Sequence, residues 1–266
     1  MSNKSKIKAL KEYFKKRDDV LMAFLFGSFA KGRVAKDSDV DIAVYLKDSK
    51  NEEDIWTQLP NNFGKEIDLV CLNEAPASLI SNVFKTGIPL VVKDKKLYWR
   101  LYLEKSLEAE DFLEFVTDFM HIYQRAQSLI PEEKIRLLER KQFLDAEFEE
   151  LENFKKINSQ EYRDDKMKRR AIERWVENII NATIDIAKIV LASEKKRMPK
   201  TYGDALLYFG ILAGLSESAS EKFARFANLR NILAHEYLDI LYSRIQAFIN
   251  EAPAIYKIIS GFLDKY

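Results

Sequence analysis

Gly27-Ser28-Phe29-Ala30-Lys31-Gly32-Arg33, then Asp37-Ser38-Asp39-Val40-Asp41-Ile42-Ala43-Val44, is the stretch that decides how the first part of this chain reads. Before it, Val20 to Phe26 is a nearly continuous apolar run, the pattern of a buried strand. Val40 to Leu46 alternates, with Val40, Ile42, Val44 and Leu46 to one side and Asp41, Ala43 and Tyr45 to the other. Because strand side chains alternate with period two, Asp39 and Asp41 share a face while Val40 and Ile42 enter the core. Neighbouring carboxylates repel unless a cation neutralises them. Mg²⁺ bridging nucleotide phosphates is the usual solution, held by one or two carboxylates.

A third acid, Asp68, lies in the apolar segment Glu66 to Leu72. If that strand pairs beside the Asp41 strand, the three acids converge and can hold two metals. Asp68 can then also accept the proton of an attacking hydroxyl. Gly27 and Ser28 sit where the first strand ends and a short helix begins. Glycine admits a phosphate close to the backbone, and the helix start and the Ser28 hydroxyl supply donors to it. Gly32 relieves the following turn.

Two better-known loops are excluded. Asp37-Ser38-Asp39-Val40-Asp41 imitates the start of a calcium-binding EF-hand, but that loop needs Gly at its sixth position and Glu at its twelfth. Those positions hold Ile42 and Asp48. No Gly-Lys-Ser/Thr follows a strand, so there is no Walker A loop.

Outward from this stretch, residues 4–17 read as an amphipathic helix with Ile7, Leu10, Tyr13 and Phe14 on one face. Ile88 to Val92 reads as a fourth strand, and 51–59 and 76–86 as helices. After Asp94 the texture changes. Leu97 to Ile130 is one long helical pattern, and Pro131 opens the next, at the first turn where its missing N–H costs nothing. Helices are expected over 132–156, 160–193, 203–213, 218–233 and 239–264. The fold class is α+β: a small mixed sheet with flanking helices over 1–130, then an all-α bundle over 131–266.

Near the other end runs Arg230-Asn231-Ile232-Leu233-Ala234-His235-Glu236-Tyr237. Histidine is the side chain best suited to proton transfer near neutral pH. A guanidinium stabilises charge on a phosphate. Arg230 and His235 approach a common phosphate if the helix ends near Ala234. Together they suffice for metal-independent attack of an RNA 2′-hydroxyl on its neighbouring phosphodiester, with Asn231 positioning the phosphate or the two key residues. Read alone, the same residues also suit an ordinary helix C-terminus, where the dipole favours positive charge. Arg163, Lys166, Arg170 and Arg174 recur at helical spacing and read as a solvated face, with RNA approach as the second reading. The other histidine, His121, reads as structural.

Both ends resemble known families. The Gly27-Ser28 to Asp41 stretch closely resembles the minimal nucleotidyltransferases of the polymerase-β-like superfamily. That resemblance implies transfer of a nucleoside monophosphate from an NTP with Mg²⁺. It makes Asp39 and Asp41 metal ligands, Asp68 the third catalytic and metal-binding carboxylate, and Gly27 and Ser28 the phosphate binders. Arg230 to Tyr237 matches the Arg-x4-His-x-Tyr motif of HEPN-domain HepT ribonuclease toxins. Arg170-Ala-Ile-Glu-Arg-Trp-Val-Glu-Asn-Ile-Ile, Asp185-Ile-Ala and Pro199-Lys-Thr-Tyr202 are similar to the same family.

In these prokaryotic toxin–antitoxin systems the nucleotidyltransferase is the antitoxin, an MntA-like protein, and adds AMP to the motif's tyrosine. Here the two are fused, so the resemblance makes ATP the donor and Tyr237 the modified residue. It also implies an RNA substrate, tRNA or mRNA, and a homodimer through the HEPN part. Two other readings stay open. One is an aminoglycoside-type small-molecule nucleotidyltransferase, with a bundle shaping the antibiotic site. The other is a non-catalytic, nucleotide-binding dimeric regulator.

Composition narrows the setting. The 266 residues are 47% hydrophobic and 32% charged, enough for a sizeable core with a helix-rich, heavily charged surface. Lys and Arg total 43 against 42 Asp and Glu, a net charge of +1, so no global basic excess announces nucleic acid. One cysteine, Cys71, excludes an internal disulfide and a cysteine-cluster metal site, and its apolar surroundings read as a buried strand thiol. No apolar stretch approaches the roughly 20 residues that span a bilayer, and the N-terminus lacks a signal-peptide pattern. A cytoplasmic protein without membrane partners is expected.

Overall fold

The computed structural model describes residues 3–30, 40–48, 55, 59, 67–125, 129–235 and 242–266. The expected helix over 51–59 lies outside the described residues, apart from Ile55 and Leu59. The chain divides into two compact units, Met1–Glu110 and Asp111–Tyr266.

The first unit opens with α1 (Asn3–Lys16) and β1 (Val20–Phe26). A single turn, α2 (Gly27–Ala30), follows, then β2 (Val40–Leu46) and β3 (Ile67–Cys71). Next come α3 (Ala77–Thr86) and β4 (Ile88–Val92). The sheet order is β3-β2-β1-β4. β1 is antiparallel to both β2 and β4, and β2 is parallel to β3, so the sheet is mixed.

Both faces are covered. Leu10 and Phe14 of α1 pack with Val40, Ile42 and Val44 on one side. Ile80, Val83 and Phe84 of α3 pack with Met22, Phe24 and Ala43 on the other. The alternation in β2 is thus spent on two apolar layers, and Asp41 falls on the α3 side. Cys71 is half-buried rather than buried, because β3 is an edge strand, and its Sγ donates to Asn73 Oδ1 at 3.3 Å. Asn73 also closes the end of β2, accepting from Leu46 N at 2.8 Å and donating to Leu46 O at 2.9 Å. Pro89 occurs in the other edge strand, where a missing donor is tolerated.

The division between units falls inside one long helix, α4 (Lys95–Tyr123). Its later residues Phe112, Phe115, Phe119 and Ile122 recur at helical spacing and lie in the core of the second unit. That unit continues with α5 (Pro131–Glu149), α6 (Leu151–Lys155) and α7 (Ser159–Asp164). It ends with α8 (Lys166–Ser193), α9 (Tyr202–Leu212), α10 (Glu217–His235) and α11 (Tyr242–Leu263).

α8 is its axis. Ile172, Val176, Ile179, Ile180, Ile186 and Ile189 are fully buried. The buried Thr183 hydroxyl is satisfied twice, by Ile179 O and Tyr256 Oη, each at 2.7 Å.

The structure breaks two expected helices. The pattern over 160–193 is interrupted because the Asp165 side chain accepts from Met167 N and Lys168 N, starting α8 afresh. Asn158 does the same for α7, with Glu161 completing the capping box. Arg163 is therefore on a different helix from Lys166, Arg170 and Arg174, and the four do not form one stripe. The pattern over 132–156 likewise divides into α5 and α6 at Glu150. Among the described residues, no helix is long and apolar enough to cross a membrane.

Candidate functional site

Strand pairing places the acids. In the parallel ladder of β2 and β3, Asp41 is the direct partner of Asp68, as Val40 is of Ile67 and Ile42 of Leu69. Partners on adjacent strands lie about 4.8 Å apart and point to the same face. Asp41 is half-buried and Asp68 exposed, so this end of the face is open. On the other side of β2, Asp41 opposes Phe26 in the antiparallel ladder with β1. The chain leaves β1 there, and Gly27 comes next.

Gly27 adopts φ +70° and packs its Cα against the Asp41 carboxylate. A Cβ at this position would lie 1.9 Å from Asp41 Oδ2 and 2.6 Å from Asp41 Cγ. Glycine is thus required twice, once by the left-handed conformation and once by the carboxylate. Ser28, half-buried, follows in α2, and the buried Phe29 anchors that turn. With four residues, α2 has little dipole; what it offers is backbone N–H groups and the Ser28 hydroxyl.

The structure brings Gly27, Asp41 and Asp68 together. Asp39 lies outside the described residues. Among the described residues, no group of three or more His, Cys, Asp or Glu side chains is placed to hold a metal. Asp41 and Asp68 carry carboxylates on neighbouring strands, and oxygen donors of this kind are the chemistry that suits Mg²⁺ shared with phosphate oxygens.

The arginine of the C-terminal motif is built differently. Arg230 leaves α10 with its side chain 14% exposed. Nε donates to Asn181 Oδ1 of α8 at 2.8 Å, and Nη1 to Asp111 Oδ2 of α4 at 3.0 Å. The guanidinium carbon lies 5.2 Å from the centroid of the Tyr202 ring, within cation–π range. Asn231 Oδ1 is 3.5 Å from Nη1. Burial pushes the Tyr202 hydroxyl up to about 12, a shift that Arg230 opposes and Asp111 reinforces. Arg230 is thereby held by one carboxylate, two side-chain amides and one aromatic face.

The polar stripe on α8 continues past Asn181. Asp185 accepts from Arg140 Nε at 3.2 Å, and the buried Lys188 reaches Asp185 at 3.3 Å and Asp118 at 3.0 Å. Burial opposes ionisation of Asp118, but Lys188 and Arg136 outweigh it and hold the carboxyl below its ordinary value.

α10 is described through His235, one residue beyond Ala234, and residues 236–241 lie outside the described residues. Five residues of α-helix put positions 230 and 235 about 140° apart around the axis. The His235 side chain and Tyr237 lie outside the described residues. His121 sits in α4 with Nδ1 3.0 Å from Arg125 Nη2.

Asp111, Asn181 and Tyr202 were not singled out as partners of Arg230 by the sequence. A signal existed for Asn181: with Asp185 and Lys188 it recurs at helical spacing through the largely apolar second half of α8, a polar line that a buried face does not need. Nothing marks Asp111 among the many acids of α4.

Residues 8–96 match the family described as polymerase beta, nucleotidyltransferase. Residues 144–260 match the family described as ribonuclease HepT-like. Among solved structures, the chain is similar to a toxin–antitoxin crystallised with AMP-PNP, at 24% identity over 44% of this chain and 99% of that one, TM-score 0.34. It is similar to the toxin–antitoxin MntA–HepT, at 22% identity over 43% and 97%, TM-score 0.31. A third is the tri-AMPylated Shewanella oneidensis HEPN toxin in complex with MNT antitoxin, at 20% identity over 42% and 98%, TM-score 0.31. A search of curated proteins found no match.

Proposed function

We propose that this chain, which carries a nucleotidyltransferase segment ahead of a HepT-like ribonuclease segment, uses the first to control the second. The nucleotidyltransferase part transfers AMP from ATP to Tyr237, and the modification suppresses RNA cleavage by Arg230 and His235. The observation that carries this reading is the register that sets Asp68 beside Asp41, directly against Gly27.

In the transfer, Asp39, Asp41 and Asp68 would hold Mg²⁺, which when bound supplies charge neutralisation for the triphosphate and the leaving group. Gly27 and Ser28 receive the phosphates. Asp68 takes the phenolic proton as the Tyr237 oxygen attacks the α-phosphorus. One O–P bond forms, the α–β anhydride breaks, and pyrophosphate leaves.

In the cleavage, His235 takes the proton of a 2′-hydroxyl and Arg230 stabilises the charge gathering on the phosphodiester. The 2′-oxygen displaces the 5′-oxygen, which takes a proton from solvent and leaves as a 5′-hydroxyl, and the other product is a 2′,3′-cyclic phosphate. The angle of about 140° between positions 230 and 235 favours a site assembled from two copies, each giving one residue across a twofold axis. AMP on Tyr237, two residues beyond His235, adds bulk and negative charge where the RNA phosphate must lie.

The test is the intact and peptide mass of the purified full chain after incubation with ATP and Mg²⁺. AMP-sized additions on Tyr237 are expected. They should be absent from Asp39→Ala/Asp41→Ala and from samples with EDTA, while EDTA leaves RNA cleavage by the unmodified chain unchanged. Transfer to an aminoglycoside with no self-modification would overturn the reading.

A further inference from the structure

A groove of about 730 Å³ runs between α10 and α11 in the second unit, away from the Arg230 cradle. Lys222 and Arg225 of α10 and Arg244 of α11 line it, all exposed, with one acid, Glu251. Glu251 is 3.8 Å from Lys222 and partly neutralises it. Among the described residues, no carboxylate lies within ion-pair distance of Arg225 or Arg244. Two arginines thus face one groove, neither ion-paired with a carboxylate among the described residues. The lining along α10 ends at Ile232, one helical turn before His235.

We propose that this groove is the lane in which single-stranded RNA lies, its phosphates on Arg225 and Arg244, so that the strand is delivered along α10 to the His235 end. The lane spans about 15 Å from Lys222 to Ile232 at 1.5 Å per residue. Charge selects the occupant. A twofold contact of the chain with itself through this groove would bring together two surfaces that each carry three cationic side chains and one acid, and like charges facing each other are unfavourable. A polyanion removes that repulsion and gains from counterion release.

The floor decides what is read. Phe226 and Phe248 line the groove but are only 4% and 1% exposed, so they present little ring surface for a base to stack on. The groove therefore recognises the backbone and tolerates many sequences. The inference rests on the ribonuclease reading for the fate of the strand, but not for its binding.

The experiment uses the full chain in the Asp39→Ala/Asp41→Ala background, in which Tyr237 is expected to stay unmodified, as the parent, and a short fluorescein-labelled single-stranded RNA. A 2′-O-methyl version, which has no free 2′-hydroxyl to attack, is used for binding, and an unmodified version for cleavage. Arg225→Ala/Arg244→Ala is expected to weaken binding about tenfold or more. It should also reduce the slope of log affinity against log salt by about 1.4, or 0.7 for each lost phosphate contact. Arg225→Lys/Arg244→Lys should keep most of that slope, which separates charge from folding.

Unchanged affinity and slope in the alanine variant would overturn the proposal, as would a parent chain that binds no RNA. A variant that changes only the sedimentation behaviour would overturn it in favour of self-association. A parent that binds through the two arginines without cleaving leaves the lane standing and removes the ribonuclease reading. A parent that cleaves, with the alanine variant cleaving equally well, removes the lane and keeps the ribonuclease.

Discussion

The acid site and the arginine site reach their geometry by opposite routes. Asp41 and Asp68 are adjacent because two backbones pair in register, and Gly27 touches Asp41 because β1 pairs with β2 up to Phe26. Few side-chain choices enter. Arg230 stands where it does because Asn181, Asp111 and Tyr202, from three other helices, each take part of its guanidinium. A carboxylate pair set by register is exposed to whatever approaches. An arginine set by side chains is only as well placed as its weakest neighbour. Changes in the first site should therefore act through the backbone, and changes in the second through single partners.

The largest effect is expected at Gly27. Gly27→Ala drives a methyl into the Asp41 carboxylate and strains a φ of +70°. A misplacement of about 1 Å at a reacting centre costs about 10²-fold, so the initial rate of AMP incorporation should fall by about that much while thermal melting changes modestly. An unchanged rate would break the comparison on its backbone side.

Asp111→Asn should act next. It keeps the shape but removes the charge that Arg230 Nη1 meets at 3.0 Å. Hydrogen bonds to charged groups contribute about 1.5–3 kcal/mol, and only part of that bears on orientation. RNA cleavage should lose about tenfold in kcat with little change in KM, and Asp111→Glu should recover part of it. A kcat equal to the parent's would mean that the remaining partners hold the arginine without Asp111.

The smallest effect is alkaline. The Tyr202 hydroxyl, pushed up to about 12, keeps its proton in the fold longer than in the unfolded chain. Its contribution to stability is whole below about pH 10 and is lost as pH rises through about 12. Urea midpoints measured up that range should fall less steeply in Tyr202→Phe than in the parent. Identical slopes would show that the ring is not held closed over Arg230.

The strands were legible because alternation states which face each residue takes. Val40, Ile42 and Val44 announce their core, and Asp41 its opposite side. The acid pair was legible only conditionally, since nothing local says which strand lies beside β2. The break at Asp165 was written in its capping side chain, but the helical period ran past it; the break around Asn158, with Glu161 three positions on, already separated the helices expected over 132–156 and 160–193. Arg230 was visible as a motif residue and its partners were not.

By itself, then, the sequence determined what depends on neighbours along the chain: the β1–turn–β2 stretch, the order of elements, and the helical texture beyond Asp94. Tertiary structure alone decided the Asp41–Asp68 pairing, the core that takes Phe112 to Ile122 of α4, and the cradle of Arg230. Its partners Asn181 and Asp111 lie 49 and 119 residues away. Periodicity and capping act within a few residues, whereas a contact across such separations exists only once packing has brought separate helices together.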